Sequence, residues 1–317
     1  DLWMALAVAF IVGGLRATRF TVINRFIYDI VGPQRLVNGV SLWRISNTPM
    51  MIGGAILAGA LIEWSGLWAA YALIAVCLAI SLPFLALMNI RGSIDSSSGH
   101  FLRQTIEGIK YTSTNPSLRI LFTFSIVMET LGFAFLIMVP VMAKNVLEVD
   151  ALGMGFLQAG IGTGMFVSTL FMATKGDSLQ KPRIVFLNAL CGGIALIAFA
   201  LSRSLPLSIF LAGAVMAFLY AYDVTLGVLL QLVAPPNLRG RAVSLHSLAI
   251  SFTALGGFVM GGIGSIVGVP LMITAGGIGI VINAMLRRRA ILTVQEYSQH
   301  QAKGSDLGAN SHISADN

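Results

Sequence analysis

"PQRLVNGVSLWRISNTPMMIGGAILAG", residues 33–59, lies over "PNLRGRAVSLHSLAISFTALGGFVMGG", residues 236–262, when the sequence is slid by 203 positions. Pro33, Val40, Ser41, Leu42, Gly53, Gly54 and Gly59 then coincide with Pro236, Val243, Ser244, Leu245, Gly256, Gly257 and Gly262, seven identities in twenty-seven ungapped positions. Each copy is a polar, basic lead-in followed by an apolar run rich in glycine. Shared hydrophobicity does not by itself put loop residues and glycines in one register, so the chain reads as two related halves.

The surroundings of both copies are strongly apolar. The 317 residues are 56% hydrophobic and 10% charged, with a mean hydropathy of +0.85, where a soluble domain carries about 25% charged residues. Nine apolar stretches are long enough to cross about 30 Å of hydrocarbon: roughly 3–27, 37–62, 66–89, 119–142, 151–174, 183–203, 206–230, 243–266 and 269–286. They are unbroken blocks rather than alternating ten-residue segments, which predicts an all-α membrane protein and not a barrel.

The net charge of +7 is a topology signal and gives no reason to expect nucleic acid. Sixteen of the twenty basic residues fall in the loops after the first, third, fifth and seventh spans and in the C-terminal tail, among them Arg25, Arg35, Lys181, Arg183, Arg239, Arg241 and Arg287–Arg289. By the positive-inside rule these loops and the C-terminus are cytoplasmic in a multi-pass protein of a plasma membrane. Cys77 and Cys191 lie inside spans, so neither a disulfide framework nor a metal site is implied.

The second half holds spans four to nine, and its duplicated helix is the fifth of six. In the first half the duplicated helix is only the second span. Three helices are therefore expected upstream, making the sequence an N-terminally truncated fragment with nine of twelve helices. The expected domains are 1–89, the last three helices of the first bundle; 90–118, a cytoplasmic linker with an amphipathic helix; 119–289, a complete second bundle; and 290–317, a disordered cytoplasmic tail.

Glycine is the weakest helix former after proline in water, but in lipid small residues let helices approach closely. Gly257, Gly261, Gly264 and Gly268 step by 4, 3 and 4 along one helical face, and Gly53, Gly54, Ala55, Ala58 and Gly59 make a broader one. Together with Gly256, these glycines are expected to form packing surfaces on which helices move. Span five repeats the device with Gly155, Ala159, Gly160 and Gly164.

The stretches "RLVNGVSL", "EGIKYTSTNPSLR" (107–119), "MVPVMAKNVL" (138–147), "GMGFLQAGIGTG" and "LRGRAVSL" (238–245) resemble, in their order and spacing, the major facilitator superfamily. The resemblance is to its bacterial efflux branch of transmembrane secretion effectors, which includes siderophore and macrolide exporters. It implies a major facilitator fold in the bacterial inner membrane, without cofactor or metal, working as a monomer. In "KGDSLQKPR" (175–183) the residues Gly176, Asp177, Lys181 and Arg183, with Arg239 and Arg241, match a cytoplasmic latch between halves. The exporters' glycine-proline pair is replaced here by Gly53 and Gly54, so their antiporter motif is only partly met.

Ionisable groups at membrane depth are expensive and mark pathways. Glu129, midway along span four in "FSIVMETLGFAF", is a candidate proton carrier. Asp223 in "YAYDVTLG" lies beside Tyr220 and Tyr222, and Arg16 and Arg19 are placed to bind an anionic substrate or pair with an acid. His246, near the cytoplasmic end of its helix, reads as interfacial polarity. No H-E-x-x-H motif, intramembrane nucleophile–base set or phosphate-binding loop occurs, which argues against an enzyme or an ATP-driven pump. The expected function is proton-coupled efflux of a small amphipathic molecule by alternating access in the lipid bilayer; the alternative is a lipid flippase or a non-transporting relative.

Overall fold

The computed structural model describes residues 36–87, 115–175, 180–234 and 239–313. Among these there are helices and no strands. In chain order they are α1 (Leu36–Ser65), α2 (Leu67–Leu87), α3 (Pro116–Val127), a π-helical turn (Met128–Phe133), α4 (Phe135–Asn145), α5 (Ala151–Lys175), α6 (Lys181–Leu201), α7 (Leu205–Val233), α8 (Arg239–Val267) and α9 (Val269–Ile313).

Seven helical segments of the described residues are long and apolar enough to cross a membrane, the one from Pro116 to Asn145 running through α3, the π turn and α4. The apolar part of α1, Pro49–Ser65, is shorter. The expected count of nine is therefore not reached: the stretch 3–27 and the linker 90–114 lie outside the described residues. Apolar side chains cover the outside as well as the core, with Phe210, Ile266, Phe258 and Leu286 all largely exposed, as expected where acyl chains are the solvent.

The two copies of the repeat fold alike. Each long helix ends on a glycine with a left-handed backbone, Gly66 at φ 86° and Gly268 at φ 96°, before the next helix starts. The amide of Gly66 donates to Ile62 O at 3.0 Å and that of Gly268 to Gly264 O at 2.9 Å, which is how a glycine terminates a helix. Gly268 is accordingly a turn residue, and the packing role expected of it is corrected.

Side chains cap the starts of α3 and α5. Asn115 Oδ1 accepts from the amides of Ser117 and Leu118 at 3.1 and 3.3 Å, with Pro116 in the first turn of α3; asparagine and proline suit these positions because the first-turn amides lack intrahelical partners. Asp150 accepts from Gly153 N at 2.7 Å at the start of α5.

The core lies among α3, α4, α6, α7 and α9. Phe135 meets Phe199 edge to face at 6.0 Å, and Leu219, Ile273 and Ile280 are sealed beside them. The last helix continues past the expected boundary at 289: Ile291 and Val294 are buried and α9 runs to Ile313. The apolar spacing of Ile291 and Val294 extends the packed face of α9, so the tail expected to be disordered from 290 is helical here.

Across the two halves, α1 runs along α5. A Cβ on Gly59 would sit 2.6 Å from Ala151 O and 3.2 Å from Gly155 Cα, and one on Gly155 would sit 2.7 Å from Ala55 O. The other side of α5 closes on α7, where a Cβ on Gly160 would lie 2.7 Å from Ile209 O. Helix α5 is thus pinched between α1 and α7, its glycines serving a different neighbour on each face.

In the second copy Gly256 presses on the backbone of Thr130, Gly257 on Ile137 and Gly261 on Met138, while Gly264 makes ordinary contact with Met272. Gly53, Gly54 and Gly262 meet no described heavy atom within 4 Å, so among the described residues the packing expected of Gly53 and Gly54 is not seen. The elements that seat Gly256 and Gly257, the π turn and α4, have no position in this sequence at the offset of 203.

Candidate functional site

Thirteen residues along from Pro116, about 20 Å at the helical rise, α3 passes into the π turn that carries Glu129. A π turn fits one extra residue into a helix and is found most often where function needs a side chain re-aimed. Glu129 is 2% exposed. Its Oε2 accepts the hydroxyl hydrogen of Thr253, on α8, at 2.5 Å.

Gly256 makes that bond possible. It follows Thr253 by three residues and so shares its face, and its bare Cα rests on the backbone of Thr130, the residue after Glu129. Any larger residue there would hold α8 away from the π turn.

Two turns before Thr253, on the same face of α8, His246 brings Nε2 to 3.2 Å from Asp223 Oδ1 on α7. Gly227, one turn along from Asp223, lies beside the imidazole, where a Cβ would make ordinary contact with Nε2 at 3.5 Å. The side chains of His246 and Asp223 are 16% and 22% exposed. The charges of this pair act on Glu129, placing the three groups in one cluster.

Tyr222 completes the cluster from α7. Its ring is fully buried edge to face with Phe124 at 5.7 Å, and its hydroxyl lies next to Ser125 without a hydrogen bond. Among the described residues the buried atoms Ser125 Oγ, Tyr222 OH and His246 Nδ1 have no hydrogen-bond partner, and Asp223 Oδ1 has only the charge contact with His246. Buried polar atoms are usually satisfied by protein or ordered water. This constellation suits proton exchange: two carboxyls and an imidazole span three helices within a low-dielectric interior.

Of the residues singled out from the sequence, Glu129, Asp223 and Tyr222 come together. Tyr220, two positions from Tyr222 and so on another side of α7, packs against the core periphery. Arg16, Arg19, Gly176 and Asp177 lie outside the described residues, as do the side chains of Arg239 and Arg241. Lys181 and Arg183 open α6. His246, read as interfacial, belongs to the cluster instead, and that reading is corrected. Sequence reasoning missed His246 and Thr253; they stand seven residues apart, two turns on the face of α8 that also carries Gly256 and Gly257.

A separate apolar groove of about 480 Å³ runs between α5 and α7, lined by Gly160, Gly164, Val167, Ile209, Phe210 and Gly213 among others.

Residues 1–310 match the family of transmembrane secretion effectors. The chain belongs to that family. It is a branch of the major facilitator superfamily, whose members are transporters of small molecules through membranes and not enzymes, and this chain is accordingly a multi-pass membrane protein. It is similar to the enterobactin exporter EntS of Shigella flexneri, 25% identical over 256 residues, covering 78% of this chain and 58% of that protein. EntS of Escherichia coli O1:K1 is 23% identical over the same coverage. The chain thus spans 58% of the length of these curated relatives.

In fold it is similar to a bacterial homologue of the human lysosomal transporter Spinster, solved in an inward-facing, unoccupied conformation. The TM-score is 0.59 at 16% identity, covering 86% of this chain and 74% of that one.

Proposed function

We propose that this transporter is a secondary active exporter that couples outward movement of a small amphipathic molecule to inward movement of protons, by alternating access of two bundles about a midplane site. The observation that carries the reading is Glu129, sealed at membrane depth and held by the Thr253 hydroxyl rather than by a cation among the described residues. A carboxyl neutralised by an arginine would be fixed in its charge; one held by a hydroxyl is free to load and release a proton.

The glycine contacts of α1 with α5 supply the close, side-chain-free seam on which one bundle turns against the other. The groove between α5 and α7 offers an apolar surface of the size that small molecules occupy. The working protein is a monomer in the bacterial inner membrane, with the Arg239 end of α8 and the C-terminus in the cytoplasm.

The complete gene product, reconstituted in vesicles, tests this with enterobactin, the compound named in its relatives, as first substrate. An imposed pH gradient is expected to drive flux, and reversing the gradient to reverse it. Flux whose rate and direction ignore the gradient would contradict the coupling.

A further inference from the structure

Glu129 is sealed, so a proton it exchanges needs a route, and the cluster has a direction. His246 lies seven residues, about 10 Å, from the start of α8 at Arg239, and Thr253 lies about 10 Å deeper along the same helix at the level of Glu129. Asp223 approaches from α7, ten residues before Val233, which ends that helix on the same side. The His246–Asp223 pair therefore stands between Glu129 and the Arg239 end of the bundle. It is also the less deeply buried part of the cluster, with side chains 16% and 22% exposed against 2% for Glu129.

We propose that His246 and Asp223 form the proton-exchange station through which Glu129 communicates with the Arg239 side, across water held on the unpartnered polar atoms between them. This rests on Glu129 being the proton carrier. Glu129 releases its proton to the water; His246 Nδ1, buried and without a partner, takes it, while Nε2–H stays directed at Asp223 Oδ1. The Asp223 carboxylate balances the imidazolium, and loss of a proton toward the Arg239 side restores the neutral ring. Loading runs in reverse.

Tyr222 OH and Ser125 Oγ, buried beside one another near Glu129, supply the polar atoms for bridging water in this route. Among the described residues, the titratable and charged groups around the station are Glu129 from the π turn, Asp223 and Tyr222 from α7 and His246 itself from α8. From α9, Arg287 is engaged with Thr123 and with Ile120 O at 3.4 Å, nearer the start of α3.

The test is time-resolved infrared spectroscopy of the complete gene product in lipid nanodiscs after a pH jump, which needs no substrate. The carbonyl band of protonated Glu129 is identified as the one missing in Glu129→Gln. His246→Gln and Asp223→Asn are each expected to keep that band but slow its appearance by about a hundredfold, the lower end of what a positioned proton-transfer group contributes. Should His246→Gln fail to fold, the near-isosteric Asp223→Asn probes the same transfer step. Unchanged rates with the band present would overturn the station alone; absence of any Glu129 band would overturn it together with the Glu129 reading.

Discussion

Thr253 on α8 donates its hydroxyl hydrogen to Glu129 on the π turn at 2.5 Å, joining two helices 124 positions apart in sequence. Thr253→Val removes the donor while nearly keeping the volume. Leaving a buried carboxyl without that partner is expected to lower stability by about 1–3 kcal/mol, read as thermal unfolding in detergent. In a double-mutant cycle with Glu129→Gln the two effects should fail to add by at least about 0.5 kcal/mol; strict additivity would mean that the bond contributes nothing.

Gly256 and Gly53 occupy equivalent places in the repeat but differ in surroundings. A methyl group at 256 runs into the backbone of Thr130, whereas one at 53 meets no described atom. Gly256→Ala is expected to destabilise by about 1–3 kcal/mol, as overpacking does, and to weaken the Thr253–Glu129 bond. Gly53→Ala should be neutral, or stabilising by up to about 1 kcal/mol through helix propensity. Comparing the two melting curves checks the contrast.

A second pair reverses the asymmetry. Gly59 touches α5 across the seam between halves, and its counterpart Gly262 is open. Gly59→Val is predicted to abolish or strongly reduce transport in vesicles, because backbone contact at Ala151 and Gly155 leaves no space for a side chain. Gly262→Val should retain most of it. Equal losses would show that the seam has no special role.

Asn115 satisfies two amides at the start of the helix that delivers Glu129. Asn115→Ala should cost about 0.5–2 kcal/mol, the usual range for losing an N-cap, whereas Asn115→Ser should recover most of it. Thermal unfolding of both variants decides.

Much of the architecture was legible because lipid imposes a simple code. Eight of the nine apolar stretches coincide with described helices. The ninth, 3–27, lies outside the described residues. Glu129, Asp223 and Tyr222 stood out because charge and hydroxyl at membrane depth are costly in any fold.

His246 and Thr253 were not legible as partners, since polar residues on a helix become a site only when another helix faces them. The π turn left no sequence signature beyond the buried glutamate itself. The contrasting surroundings of Gly53 and Gly256 were equally hidden: an internal repeat reports ancestry, while contact depends on which neighbours each copy has. The helical continuation through Ile291 and Val294 was missed because Ile291, Leu292 and Val294 follow three arginines and are too few to register as a span.

The most direct measurement compares wild type and Glu129→Gln, as the complete gene product in vesicles, for two activities: exchange of substrate at equal pH on both sides, and accumulation driven by a pH gradient. If Glu129 carries the coupled proton, the variant keeps exchange and loses gradient-driven accumulation. Accumulation that persists undiminished in Glu129→Gln would contradict the account.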